Sequence, residues 1–213
     1  MGAGPMTKRC FFLLAFLLAV VGSGAARAQM LGDTKVGFAA DRTVVFNGRS
    51  FNGRIFAMPG RQRHEQDIDG LPQVILLRSD GKGWLVVPTM RSYVPFSLGR
   101  AFAELSDPTL LKTPVGQETV SGVATTKYRI DHPARDGTKV EGFIWRSQDG
   151  VVMKLDGSYT ARNGAKPTPI RMQLSNLRVG PQDSTLFDPP PGMMQLPVGA
   201  LQPLLGLAQA PKG

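Results

Sequence analysis

Few side chains in this sequence are equipped to make bonds or hold metals. The 213 residues include two histidines, His64 and His132, and one cysteine, Cys10. Asp131 and His132 are adjacent, so a hydrolase triad would have to recruit a distant serine. The following Pro133 makes this tripeptide read as a loop. The sequence contains no Gly-x-Ser-x-Gly elbow, P-loop or dinucleotide fingerprint. Asp67-x-Asp69-Gly70 has the opening spacing of a calcium loop but none of the later ligands, and reads as a solvated turn. No residue is therefore assigned a catalytic or metal-ligating role, no cofactor is expected, and the chain reads as a non-enzyme. Arg129 and Arg146 lie near Tyr128 and Trp145, the residue types of a nucleic-acid platform. The export signal described below argues against a nucleic-acid partner.

What the chain does supply is pliable apolar surface. Methionine fills irregular space and suits a site for flexible acyl chains. The candidate apolar lining is Phe56, Met58, Trp84, Tyr93, Phe102, Phe143, Trp145, Met153 and Met172. Arg54, Arg61 and Arg63 are the candidates for a headgroup. Cores use the same apolar types, so the scaffold has to say which of them face a cavity.

That scaffold reads as β-structure. Between Gly116 and Tyr159, Val120, Ala124, Tyr128 and Ile130 share one parity and Thr119, Ser121, Thr125, Lys127 and Arg129 the other, the period of a half-buried strand. Asp136-Gly137 and Asp149-Gly150 mark turns on either side of Val140–Arg146. From Val151 the alternation resumes through Met153, Leu155 and Tyr159. Upstream, Thr43–Phe46 ends at Asn47-Gly48, and Asn52-Gly53 suggests a second tight turn or bulge before Arg54–Met58. Arg61–Glu65 reads as an exposed strand.

Val74–Leu77 and Trp84–Val87 are apolar on both parities, so this hairpin is expected mid-sheet with cover on both faces. Leu98–Leu105 has helical spacing and is one candidate cover. Ile170, Met172 and Leu174 alternate, and the loss of phase at Leu177 and Val179 predicts a bulge near Asn176. The expected fold is mainly β (α+β): an antiparallel, unclosed half-barrel with a few short covering helices.

The N-terminal residues read as a signal peptide. Lys8-Arg9 precedes an apolar run from Cys10 to Val21, and Ala26-Arg27-Ala28 places the cut between Ala28 and Gln29. The run is shorter than the ~20 residues of a spanning helix. Periplasmic localisation and a cysteine-free mature chain follow, which removes disulfides and catalytic thiols. The remainder, residues 29–197, suits one β domain, and 198–213 form an apolar, proline-containing tail. Loss of Lys8, Arg9 and Arg27 lowers the net charge from +9 to +6, still basic.

Three stretches carry a resemblance. They are Phe56-Ala57-Met58-Pro59-Gly60-Arg61-Gln62-Arg63-His64-Glu65, the hairpin Val74–Trp84 followed by Pro88, and Leu186-Phe187-Asp188-Pro189-Pro190-Pro191-Gly192. In this order, behind a signal peptide, they resemble the Lol-type periplasmic carriers that sort outer-membrane lipoproteins. The resemblance implies a half-barrel lined with apolar side chains that holds a lipid or lipoprotein acyl chain, with a role in outer-membrane biogenesis. Met58 occupies the position of the carriers' functional arginine, so that role is not carried over. A second expectation is an envelope sensor or adaptor that docks a partner protein, with envelope membrane proteins as the candidate partners.

Overall fold

A computed structural model describes residues 34–46, 48–68, 70–97, 113–133, 137, 139–160 and 166–200. The signal segment, the helix expected over Leu98–Leu105 (with Phe102) and the tail beyond Ala200 lie outside the described residues.

Among the described residues, twelve strands form one sheet. They are β1 (Phe38–Phe46), β2 (Arg49–Met58), β3 (Arg61–Ile68), β4 (Leu71–Arg78), β5 (Lys82–Val87), β6 (Ser92–Ser97), β7 (Pro114–Val120), β8 (Val123–Pro133), β9 (Lys139–Ser147), β10 (Val152–Thr160), β11 (Thr168–Val179) and β12 (Met194–Gln195). The order across the sheet is β12-β6-β5-β4-β3-β2-β1-β11-β10-β9-β8-β7. Two meanders, β1–β6 and β7–β11, are joined where β1 pairs with β11. All pairings are antiparallel except that of β12 with β6. The two end strands, β7 and β12, do not pair with each other, so the sheet is not closed into a barrel.

Local chemistry explains most of these elements. In β1 the buried side chains alternate through Phe38, Ala40, Arg42, Val44 and Phe46, the period of a strand with one covered face. The β4–β5 hairpin is covered on both faces, as its two-sided composition requires. Ile75, Leu77 and Leu85 are buried on the inner face, and Val74, Leu76 and Val86 form an outer cluster with Trp84, Tyr93 and Met193. The β1–β11 register shifts between Ala39 and Asp41, opposite Asn176, which adopts φ 52°. This is the expected bulge, and Asn176 Nδ2 fastens it by donating to Asp41 Oδ2 at 2.7 Å.

Five expectations need correction. Asp131-His132-Pro133 is not a loop, because the three residues end β8 and pair with Glu141, Val140 and Lys139 of β9. Asn52-Gly53 is not a turn, because β2 runs through it and pairs with β1 without interruption. Arg61–Glu65 is not simply exposed, because β3 buries Gln62 and His64 on one face. The run from Thr119 to Ile130 is not one strand. Ser121 and Gly122 take φ 48° and 81° and fold it into the β7–β8 hairpin, as the two positive φ angles of a type I′ turn allow. The alternation from Val151 is broken by a register shift at Met153, where Val152 pairs with Arg146 but Lys154 pairs with Trp145.

The sheet is strongly curled. Four strands separate β3 from β9 in the sheet order, about 24 Å along a flat sheet at ~4.8 Å per strand. Yet His64 of β3 and Ile144 of β9 line the same cavity. Part of the curl is built on glycine. Gly142 and Gly157 face each other across β9 and β10, and a Cβ on either would strike the carbonyl oxygen of Asp156 or Glu141.

On the convex side the chain returns as a strap after β11. Phe187, 1% exposed, anchors it in the 3-10 turn Ser184–Phe187. Arg63 Nη1 donates to the Leu186 carbonyl at 3.1 Å. Asp188 sits 3.3 Å from Arg61 and 3.7 Å from Arg78. The three stretches singled out in the sequence therefore meet at one place on this face.

Candidate functional site

The inner face of β1–β4 carries a polar row within an apolar lining. By register, Arg42 of β1 lies beside Gly53 of β2, then Gln66 of β3, then Gln73 of β4. One rung further along β3 is His64, followed by Gln62. Arg42, Gln62, His64, Gln66 and Gln73 are all buried. The strands place them there because their parity is that of Phe38, Ala40, Ile55 and Ala57.

Arg42 organises the group. One Nη nitrogen donates to His64 Nδ1 at 2.6 Å and the other to Gln66 Oε1 at 2.9 Å. His64 Nε2 lies 3.0 Å from Gln62 Oε1. An Nδ1 that accepts from a guanidinium carries no proton, so Nε2 carries it and donates to Gln62. The imidazole is therefore neutral. Burial, and then the Arg42 charge, hold its pKa well below the ordinary histidine value. Burial alone pushes the Arg42 guanidinium down to about 10, which leaves it cationic at neutral pH. No Asp or Glu side chain is buried among the described residues. The partners of Arg42 are neutral, and its buried Nε has no hydrogen-bond partner. Gln73 Oε1 also lacks one.

Arg42, Gln62 and His64 of this cluster form the polar wall of a cavity of about 160 Å³. Phe38, Arg42, Ile55, Gln62 and His64 line it from β1–β3, and Ile144, Val152, Leu155, Met172 and Leu174 from β9–β11. The space can hold a small apolar group against a buried cation. No group of three or more His, Cys, Asp or Glu side chains suited to a metal occurs among the described residues.

Of the candidate lining residues, Met172 faces this cavity. Met153 is fully buried in the adjoining apolar cluster with Phe38, Ile55 and Leu174. Phe56 and Met58 have the opposite parity in β2 to the cavity-lining Ile55. Trp84 and Tyr93 belong to the outer cluster beneath the strap. Phe143 and Trp145 flank the inward Ile144 and carry the Lys127 ammonium 4.8 Å above each ring, with Lys154 4.3 Å above Trp145. Trp145 Nε1 donates to Glu118 Oε2 at 2.7 Å, which rivets β7 to the sheet. Of the three candidate headgroup arginines, Arg54 stacks on Phe56 at 4.8 Å, while Arg61 and Arg63 hold the strap. Arg42 was not among the residues singled out by sequence. Its signal is legible all the same, as a cation in the apolar phase of Phe38-x-Ala40-x-Arg42-x-Val44-x-Phe46.

No protein-family model and no curated protein matches the chain. Solved structures similar to it include the Pseudomonas aeruginosa MucA/MucB complex, at 19% identity and TM-score 0.47, over 72% of this chain and 56% of that one. The chain thus spans little more than half of that match. An outer membrane lipoprotein-sorting protein domain from Vibrio parahaemolyticus is similar at 10% identity and TM-score 0.35, over 74% of this chain and 91% of that one. A DUF1329 family protein from Desulfovibrio piger is similar at 9% identity and TM-score 0.30, over 73% and 90%.

Proposed function

We propose that this protein is an exported, non-enzymatic binder of an apolar ligand, a lipid or lipoprotein acyl chain, held on the concave face of the sheet in the periplasm. The observation that supports this reading is the apolar cavity between β1–β3 and β9–β11 in a sheet that is curled but not closed. Each methylene that leaves water for such a site gains ~0.8 kcal/mol. Organic extraction of the purified protein followed by mass spectrometry should release a bound lipid. A fluorescent fatty acid should bind and be displaced by unlabelled acyl chains. A protein that carries no lipid and leaves the probe's emission unchanged would end this reading.

A second reading, an envelope adaptor that docks a partner protein, is favoured by β7. This edge strand is exposed from Pro114 to Thr119, and Gln117, Glu118 and Thr119 border an open groove. An exposed strand edge is a template for an added strand. Replacing Gln117 with proline should abolish partner capture while lipid binding persists.

A further inference from the structure

We propose that Arg42 is the receptor for a carboxylate, so that the guest is an amphiphile with a single negative charge, a fatty acid, taken head-first into the cavity. This deepens the proposed function and rests on reading the cavity as a ligand site. Three observations converge on it. Arg42 is only 7% exposed, and its hydrogen-bond partners are the neutral His64 and Gln66. A buried cation without an anion is costly, and its cost is offset when a counter-charge arrives. Its Nε is buried without a partner, and an N–H of the guanidinium fork is what a carboxylate engages. The cavity that Arg42 lines is otherwise largely aliphatic, through Ile55, Ile144, Leu155 and Leu174, so the same guest must carry an apolar tail.

The charge count chooses among anions. Arg42 offers one positive charge, and His64 cannot add a second, because its Nδ1 already accepts from Arg42. A carboxylate at −1 balances the site. A phosphate monoester, at about −1.5 to −2 near neutral pH, leaves negative charge uncompensated in a buried setting. The space fits the same assignment, because a cavity of 160 Å³ is close to the ~150 Å³ that accommodates benzene. The resting protein therefore has room for a carboxylate and the first few carbons of its tail.

The test compares oleate, oleyl alcohol and monooleyl phosphate by competition against a fluorescent fatty acid, on wild type, Arg42→Gln and Arg42→Lys. Wild type should bind oleate at least about tenfold more tightly than oleyl alcohol, with the phosphate weaker than oleate. Arg42→Gln should bring oleate and the alcohol to within about twofold, and Arg42→Lys should retain part of the preference. A measurement on wild type alone guards against a misfolded variant. Carboxyl-labelled ¹³C oleate should remain ionised when bound at least about one pH unit below its titration in a micelle. Equal binding of oleate and alcohol, or a preference that survives in Arg42→Gln, would overturn the assignment to Arg42 while apolar binding stands. Tighter binding of the phosphate would overturn the carboxylate. If no oleyl compound binds, the cavity reading falls and takes this one with it.

Discussion

His64 is held in one tautomer between a guanidinium and an amide, and this has a thermodynamic consequence. The folded protein keeps the ring neutral, whereas an unfolded chain takes up a proton near pH 6.5. Above that pH the preference costs nothing. As pH falls below it, the unfolded state binds the extra proton and stability declines, by at most ~1.4 kcal/mol per pH unit. His64→Gln can keep both hydrogen bonds without titrating. Urea unfolding near pH 7.5 and again near pH 5.5 should show wild type losing about 1 kcal/mol more than the variant. Equal losses would mean that His64 is already open to protons in the folded state. At this scale the sequence was readable in pattern and misleading in residue type. Aromatics looked like the ligand surface, yet Trp84 packs in the outer cluster, Phe143 is exposed beneath a lysine, and Trp145 is buried in the apolar cluster that adjoins the cavity. The cavity wall is mainly aliphatic with a polar row, and nothing in Gln62, Gln66 or Gln73 taken singly distinguishes them from surface glutamines.

Turns and straps divide the elements into those that announce themselves and those that do not. The Asp149-Gly150 turn was legible, because its residues are the ones a tight turn demands. Ser121-Gly122 was not, since serine is an uncommon occupant of a left-handed position and the flanking alternation runs on through it. Gly122→Ala, at φ 81°, should therefore cost about 1–2 kcal/mol in chemical unfolding. The strap separates packing from charge. Phe187→Ala removes a ring that is 1% exposed, and should lower the unfolding free energy by about 3 kcal/mol or more. Asp188→Asn weakens two ion pairs in which Asp188 is 52% exposed, and should cost less than about 1 kcal/mol. A larger loss from the second change than from the first would mean that the strap is held by its charges. The closing Leu186–Gly192 stretch was recognisable as a landmark, but that it meets the other two on the convex face depends on pairings far apart in sequence.

The whole molecule is one curled ribbon whose two meanders share an inner face. Alternation and turn spacing were enough for an unclosed antiparallel sheet. The half-barrel and the bulge at Asn176 were legible too, but the facing of Gly142 and Gly157 and the shifted register at Met153 were not. The curl sets a size limit. The cavity of 160 Å³ is smaller than the ~300–1,000 Å³ usual for ligand pockets, so a long chain must part the two meanders to enter. Stopped-flow mixing should show benzoate loading without delay. Oleate loading should reach a rate that no longer rises with oleate concentration, because opening limits it. A rate that climbs linearly with oleate would mean that the ribbon is already open in solution.

The parallel pairing of Met194 and Gln195 with Ser92 and Tyr93 spans about a hundred residues. A polypeptide delivered with its N-terminus leading has β1–β6 at hand long before that final rung exists. Until residues around 194 emerge, the outer backbone of β6 has no strand beside it, a bare ribbon margin of the kind on which nascent chains stick to one another. The last seam is therefore sewn late, and a chaperone that shields this margin during delivery would matter more to yield than one that acts on the finished domain.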